Sequence, residues 1–196
     1  MRWGAFSSHA CNDMPRLFVA VKIPQPIQDQ LRKLYTPIPT ARWVDFGSIH
    51  ITLKFIGEVS DPQVAGIKTA LHTFNTQAFD LFIEGVGTFP KRKPPRVLWV
   101  GLHHQPKLLT LQAKVESALG ALGFPPEDRP FSPHLTLARL KTEKPLQQVT
   151  QFLQDHATLK LSPFHVTEFA LIKSVLSPQG ARYTDVAHYS LEGTDE

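Results

Sequence analysis

The tetrapeptide His-Ile-Thr-Leu at residues 50–53 recurs as His-Leu-Thr-Leu at residues 134–137. Both copies are rich in β-branched and apolar residues, which predicts that each one begins a β-strand. Side chains alternate between the two faces of a strand, so the His and the Thr share one face and the two apolar residues share the other. Each copy therefore presents a proton-transfer group beside a hydroxyl on one face of a strand.

The repetition extends to the elements around the tetrapeptide. In each half, a strand and a helix precede the tetrapeptide, and a helix and a further strand follow it. The offset between equivalent elements stays between 80 and 85 residues, a regularity that indicates an internal duplication. The equivalent elements begin at Arg16 and Arg96 (strands), His50 and His134 (strands), Pro62 and Pro145 (helices), and Phe79 and Phe164 (strands).

This duplication predicts an α+β fold with two similar lobes related by a pseudo-two-fold axis. Each lobe would be a mainly antiparallel sheet with helices on one face. The pseudo-symmetry would place equivalent residues opposite one another, so that His50 and His134 meet across a central active-site groove. Residues 1–14 are polar and lack periodicity, and we expect a disordered extension there or a true start at Met14. The remainder, 15–196, would form a single bilobal domain.

Composition narrows the class of protein. The chain has 196 residues, of which 42% are hydrophobic, and its 13 Phe supply enough apolar volume for a core. No apolar run approaches the roughly 18 residues of a membrane helix, and the first residues lack the apolar segment of a secretory signal. The single cysteine, Cys11, excludes an internal disulfide and a cysteine-based zinc site. We therefore expect a soluble, cytoplasmic monomer with no membrane partner.

The formal charge of +4 is typical of ordinary solubility, but part of the positive charge is clustered. Lys91, Arg92, Lys93 and Arg96 stand around two prolines in a predicted turn. Such a cluster is able to follow a phosphate backbone. Alone, it is weak evidence for a nucleic-acid partner.

The paired His and Thr residues could belong to a metal site, a serine-type triad or an acid–base pair. A histidine metal site needs further ligands, but no acidic residue lies within three positions of His134 and no His-Glu-x-x-His motif is present. A serine-type triad needs one histidine held by an acid, which neither tetrapeptide supplies. Two imidazoles with unperturbed pKa values near 6.5 fit a general acid and a general base better.

In-line displacement at phosphorus uses such a pair. The base deprotonates the attacking oxygen and the acid protonates the departing oxygen, while threonine hydroxyls hold the non-bridging phosphate oxygens. A strained five-membered cyclic phosphate would react in this way with no metal and no cofactor. The sequence by itself does not say which histidine is the acid.

Four stretches around the repeats have a recognisable sequence: RLFVAV (16–21), HITLKFIGEV (50–59), RVLWVGL (96–102) and RPFSPHLTLAR (129–139). With these stretches, the repeats resemble the two-histidine (2H) phosphoesterase superfamily. They are most similar to the RNA 2′,3′-cyclic phosphodiesterases, the ThpR or LigT family formerly called 2′-5′ RNA ligases, over about residues 16–190. This resemblance implies a bilobal fold, hydrolysis of a terminal 2′,3′-cyclic phosphate of RNA to a 2′-phosphate, and reversal as a weak 2′-5′ RNA ligase.

The resemblance also implies a role for individual residues. His50 would be the proton donor to the departing 3′ oxygen, and His134 would be the proton acceptor that activates water. Thr52 and Thr136 would bind the phosphate, together with Arg139, which matches the arginine that closes the second family motif. Strict alternation puts Arg139 on the face opposite His134, so this assignment requires a β-bulge or a strand end.

The sequence leaves the roles of two aromatic residues undecided, and it allows two other functions. Trp43 and Phe46 either stack a base of the RNA, as aromatics do in single-strand binding, or pack in the core, which is the commoner use. The same site would also suit a different small cyclic nucleotide or a 2′-5′ oligonucleotide. Alternatively, the protein binds RNA without catalysis, and the repeated tetrapeptide only binds phosphate.

Overall fold

The structure is a computed structural model that describes residues 14–39, 41–73, 75–91, 94–103, 105–141, 147–177 and 180–192. The strands are β1 (Arg16–Lys22), β2 (Ala41–Trp43), β3 (His50–Glu58), β4 (Phe79–Leu81), β5 (Ile83–Phe89), β6 (Val97–Leu102), β7 (His134–Leu140), β8 (Phe164–Val166), β9 (Glu168–Ser177) and β10 (Gly180–Ser190). The helices are α1 (Gln25–Arg32), α2 (Asp61–Leu71), α3 (Pro106–Ala121) and α4 (Gln147–Asp155). Within these ranges, no helix combines the length and the apolar character needed to cross a membrane.

The strands form two four-stranded antiparallel sheets and a two-stranded ribbon. The first sheet has the order β10-β9-β1-β3 and the second has the order β2-β7-β6-β5. The three strands β9-β1-β3 of the first sheet correspond to β5-β6-β7 of the second, so the predicted duplicated α+β fold is confirmed. Each sheet is extended by one strand that has no counterpart, β10 beside β9 and β2 beside β7.

The two-stranded ribbon joins equivalent strands of the two halves. In it, β4 pairs with β8 in antiparallel register, and Asp80 lies opposite His165. These two residues are equivalent positions of the repeat, and the His165 Nδ1 and an Asp80 carboxylate oxygen are 2.8 Å apart. A pair of equivalent residues that face each other is the arrangement expected at a two-fold axis.

The helices pack their apolar faces against the sheets, and the buried side chains of both halves form one continuous core. Each helix carries apolar residues at helical spacing that are fully or almost fully buried. The halves therefore share a core. Representative members are Leu31 (α1), Ile67 (α2), Leu111 (α3), Val149 (α4), Ile51 (β3) and Leu135 (β7).

Several element boundaries differ from the sequence expectation. The strands expected from Phe79 and from Phe164 each divide in two, because the chain leaves the ribbon at Phe82 and at Thr167 to enter a four-stranded sheet. The strand β2 was not expected. The helix expected from Pro62 begins one residue earlier, at Asp61, and Ser60 caps it while the Ser60 backbone N–H donates to the Gln63 side chain.

Three sequence expectations concern residues outside the described ranges. The N-terminal extension falls there except for Met14, as does the expected helix start at Pro145. Arg92 and Lys93 of the basic cluster fall there too.

Lys54 is a buried cation in β3 that ties this strand to α3. It lies opposite Val19 on the core side of the first sheet, and only 2% of its surface is exposed. The Lys54 Nζ donates to the Glu116 carboxylate of α3 at 2.6 Å and to the Pro125 carbonyl at 2.7 Å. Residue 125 belongs to the connection that leads to β7, so this cation links the two histidine-bearing segments.

We expect Glu116→Ala to lower the free energy of unfolding by about 3–5 kcal/mol, because it leaves a buried ammonium without its counter-charge. The double variant Lys54→Met/Glu116→Leu should recover most of this loss, since it removes both charges at similar volume. Urea denaturation followed by circular dichroism measures each value.

The exposed pair Arg32–Asp29 of α1 supplies a matched control. Asp29→Ala should cost less than about 1 kcal/mol, the usual value for a solvated ion pair. A comparable cost for Asp29→Ala and Glu116→Ala would contradict the structural role given to Lys54.

Candidate active site

Both histidines of the repeated tetrapeptide are held in the same way. In β3 the His50 Nδ1 donates to the backbone carbonyl of Ser48, and in β7 the His134 Nδ1 donates to the carbonyl of Ser132, both at 2.8 Å. A carbonyl oxygen only accepts, so the proton of the neutral imidazole is on Nδ1 in both rings. The Nε2 atom of each ring is then left to exchange a proton with a ligand.

The two imidazoles lie within electrostatic reach of each other. Burial lowers the pKa of His50 below its usual 6.5, the hydrogen bond with Ser48 opposes this shift, and the charge of His134 lowers the pKa further. In the absence of an anion, His50 is therefore mainly neutral at pH 7. The effect of one histidine on the other agrees with the expected meeting of the two equivalent residues.

Thr52 and Thr136 share the faces of their histidines, as alternation predicts. In the first sheet, Thr52 lies opposite Ala20, two positions along the strand from His50. In the second sheet, Thr136 lies opposite Trp99 in the same relation to His134. Both threonines are partly exposed on these faces.

A β-bulge in β7 brings Arg139 to the same face. Thr136 lies opposite Trp99 and Ala138 lies opposite the next residue, Leu98, so Leu137 is the extra residue of the bulge. The bulge reverses the alternation after this point. Arg139 therefore joins His134 and Thr136 and is exposed, which is the arrangement its expected phosphate-binding role requires.

The same bulge occurs at the equivalent place in β3, where Leu53 is the extra residue. It turns Lys54 toward the core and Phe55 toward the face of His50. Phe55 is 62% exposed, and its ring lies 5.9 Å from the ring of Phe18. One lobe thus presents an aromatic ring where the other presents a guanidinium.

Aromatic side chains that the sequence reasoning did not single out surround His50. The Phe18 ring lies 4.8 Å from the imidazole, and the Tyr183 ring meets it edge-on at 5.2 Å. Phe18 belongs to a nearly continuous apolar run, in which the sequence does not show which residues face away from the core. Tyr183 comes from β10, the strand without a counterpart in the other half, so the repeat gave no signal for it.

A different pair of aromatic residues flanks His134. The Phe89 ring meets the imidazole edge-on at 5.0 Å, and the Trp99 ring lies 6.5 Å from it. The indole lies over Gly87, where any Cβ would overlap with the ring. Glycine at this position therefore permits Trp99 to lie beside the histidine.

The two aromatic residues considered as base-stacking groups are in the core instead. The Trp43 ring stacks on Phe46 at 6.1 Å and meets Phe152 of α4 edge-on at 6.0 Å. Phe46 is only 9% exposed. Packing in the core, the commoner use, accounts for both residues.

A cavity of about 490 Å³, here called the His50 cavity, opens beside the first histidine. It lies between α1, the turn before β3, and the strands β1, β9 and β10. His134 is not among the residues that line it. Its polar lining residues include Lys22, Gln28, Asp45, Ser48, Tyr183 and Asp185.

In the described residues, no group of three or more His, Cys, Asp or Glu side chains is placed to hold a metal ion. Other histidines pair with carboxylates: His103 with Glu84, and His188 with Glu168 and Asp185. The geometry therefore supplies two imidazoles, two hydroxyls and one guanidinium, a set suited to proton transfer at a bound anion.

Comparisons with known proteins all point to one family. The model of the 2′-5′ RNA ligase superfamily matches residues 23–177. An RNA 2′,3′-cyclic phosphodiesterase of Archaeoglobus fulgidus is 33% identical over 174 residues, covering 87% of this chain and 97% of the relative. A protein of the same name from Aeropyrum pernix is 34% identical over 158 residues, covering 80% and 88%.

Solved structures agree with the fold. The protein TT0787 of Thermus thermophilus superposes with a TM-score of 0.75 at 27% identity, covering 91% of this chain and 99% of that one. Escherichia coli LigT complexed with 3′-AMP superposes with a TM-score of 0.75 at 26% identity and the same coverage. The chain therefore belongs to the RNA 2′,3′-cyclic phosphodiesterase family, within the 2′-5′ RNA ligase superfamily and the two-histidine phosphoesterases.

Proposed function

We propose that this protein hydrolyses RNA 2′,3′-cyclic phosphate ends to 2′-phosphates by two-histidine acid–base catalysis, without a metal or a cofactor. The observation that carries the proposal is the matched fixing of His50 and His134 through Nδ1, which directs each Nε2 to a face that also holds a threonine. The names of the relatives, and the 3′-AMP bound by Escherichia coli LigT, support the same substrate class. The enzyme would act as a cytoplasmic monomer.

The position of the His50 cavity supports a division of roles between the histidines. In an in-line displacement, the attacking water and the departing 3′ oxygen lie on opposite sides of phosphorus. The departing oxygen stays on the ribose, and the cavity able to hold a nucleoside lies on the side of His50. His50 is thus the proposed proton donor to the 3′ oxygen, and His134 is the proposed acceptor that activates water.

The lowered pKa of His50 fits this role only when substrate is bound. A proton donor must be charged, whereas burial keeps free His50 mainly neutral. A bound phosphodiester carries a negative charge, which favours the imidazolium and raises the pKa of His50 in the complex. The substrate itself would then bring the acid into its active form.

Thr52, Thr136 and Arg139 complete the proposed phosphate site. The hydroxyls would donate to the non-bridging oxygens from the two sides of the groove, and the guanidinium would offset the charge that develops on them. The bulge at Leu137 supports the inclusion of Arg139, because it puts the side chain on the face of His134. With the 5′ hydroxyl of a second RNA in place of water, the same groups would form a 2′-5′ phosphodiester as the 3′ oxygen departs, which is the proposed weak 2′-5′ RNA ligase activity.

We expect His50→Ala and His134→Ala each to lower kcat by about 10²–10⁴-fold on a 2′,3′-cyclic nucleotide, the usual contribution of one general acid or base. The fold should persist, because both imidazoles are partly exposed. His72→Ala, at the exposed end of α2, is the matched control and should keep full activity. Full activity in either active-site variant would remove that histidine from the mechanism.

Hydrolysis should continue in excess EDTA, because the proposed chemistry needs only the chain's own groups. The assay uses a 2′,3′-cyclic nucleotide and RNA with a cyclic phosphate end, and it compares both with 2′-5′ oligonucleotides. Turnover that EDTA abolishes would end the metal-free proposal. Binding without turnover of any of these substrates would favour the non-catalytic RNA-binding alternative.

The pH profile of kcat/KM should be bell-shaped. At low pH both histidines are protonated and the base is lost; at high pH both are neutral and the acid is lost. The two limbs report the two macroscopic pKa values of the histidine pair, and the lower of these values sets the acidic limb. Because burial lowers the pKa of His50, the midpoint of the acidic limb should lie below 6.5. A single sigmoid would show that only one of the two groups titrates in this step.

A further inference from the structure

A second cavity adjoins the His50 cavity. Its volume is about 200 Å³, and His165, Thr167 and Glu168 are among its lining residues. We call it the β1-end cavity, because it lies where β1 ends. Lys22 and Ile23 line both cavities and therefore stand at the boundary between them.

Lys22 is placed directly beside the first histidine. It lies opposite His50 in the ladder between β1 and β3, so the two side chains share one face of the sheet. About half of the Lys22 side chain, 49%, is exposed. The ammonium is thus next to the catalytic site and still open to solvent.

The present partner of Lys22 is a carboxylate that is itself shared. The Lys22 Nζ lies 2.7 Å from Asp185, which also lies 3.2 Å from the His188 Nε2. The Nδ1 of His188 in turn lies 3.1 Å from Glu168. Such solvent-exposed ion pairs contribute little, so a phosphate oxygen is able to compete for the ammonium while Asp185 keeps a partner.

A cation lies opposite the histidine of the tetrapeptide in one lobe only. The residue opposite His134 in the equivalent ladder is Gly101, which has no side chain. Arg182 also lines the His50 cavity, but it comes from β10, which pairs with β9 and not with the strand of His50. Lys22 therefore supplies a cation directly beside His50, whereas the cation on the face of His134, Arg139, is the one proposed to bind the reacting phosphate.

We propose that Lys22 binds the phosphate on the 5′ side of the terminal nucleotide, so that the enzyme prefers RNA to a cyclic mononucleotide. This inference rests on the proposed function, which puts the terminal nucleoside in the His50 cavity. Lys22 takes the phosphate at the cavity boundary, and the preceding nucleotide enters the β1-end cavity. A cyclic mononucleotide has no such phosphate and gains nothing from Lys22.

The test compares two substrates, 2′,3′-cyclic AMP and a trinucleotide that ends in a 2′,3′-cyclic phosphate. For Lys22→Met, which keeps the length of the side chain and removes its charge, the ratio of kcat/KM for the trinucleotide to that for the mononucleotide should fall about tenfold. Any effect common to both substrates cancels in this ratio. The dependence of log(kcat/KM) on log[salt] for the trinucleotide should also become shallower by about 0.7, the value for one phosphate contact on a single strand.

Two further variants show whether the effect depends on a positive charge at position 22 or on the net charge of the protein. Lys22→Arg should keep most of the wild-type ratio, and Lys68→Met, on the exposed surface of α2, should leave the ratio unchanged. An unchanged ratio and salt slope in Lys22→Met, with the wild type active on both substrates, would overturn the inference. A wild type that hydrolyses neither substrate would overturn the proposed function instead.

Discussion

The site depends on one extra residue in the middle of each histidine-bearing strand. A regular strand that began at His50 or His134 would present every second residue to the groove for its whole length. The bulges at Leu53 and Leu137 reverse this order after the Thr, so that the third groove-facing position is residue 55 or 139. The guanidinium of Arg139 reaches the face of His134 for this reason alone. The same reversal turns the ammonium of Lys54 into the core, where Glu116 must neutralise it.

The equivalent bulges also show where the two halves have diverged. Lys54 corresponds to Ala138, and Phe55 corresponds to Arg139. The repeat is therefore kept in the position of this bulge and in the His and Thr side chains, while the residues after the bulge differ. An in-line reaction has two unlike sides, one for water and one for the departing oxygen. A site that was symmetric in all its side chains would have no means to distinguish them.

Periodicity and repetition in the sequence predicted the fold, because a constant offset ties distant elements together without any knowledge of packing. They also predicted His50, His134, Thr52 and Thr136 as site residues; all four lie before the bulge, where simple alternation holds. Arg139 needed a family resemblance, since alternation alone gives the wrong face. Phe18, Tyr183, Phe89 and Trp99 were missed, because their roles depend on which strands become neighbours. The strand β2 was missed as well, since three residues are too few to show a period.

The ribbon between β4 and β8 has a further consequence for this site. With Asp80 opposite His165, the contact has the self-complementary form of the interface in a two-fold symmetric dimer, yet both of its strands belong to one chain. In a dimer, a site shared between two copies comes apart on dilution, because each copy holds only one histidine. Here both histidines belong to one polypeptide chain, so the assembly of the site does not depend on protein concentration.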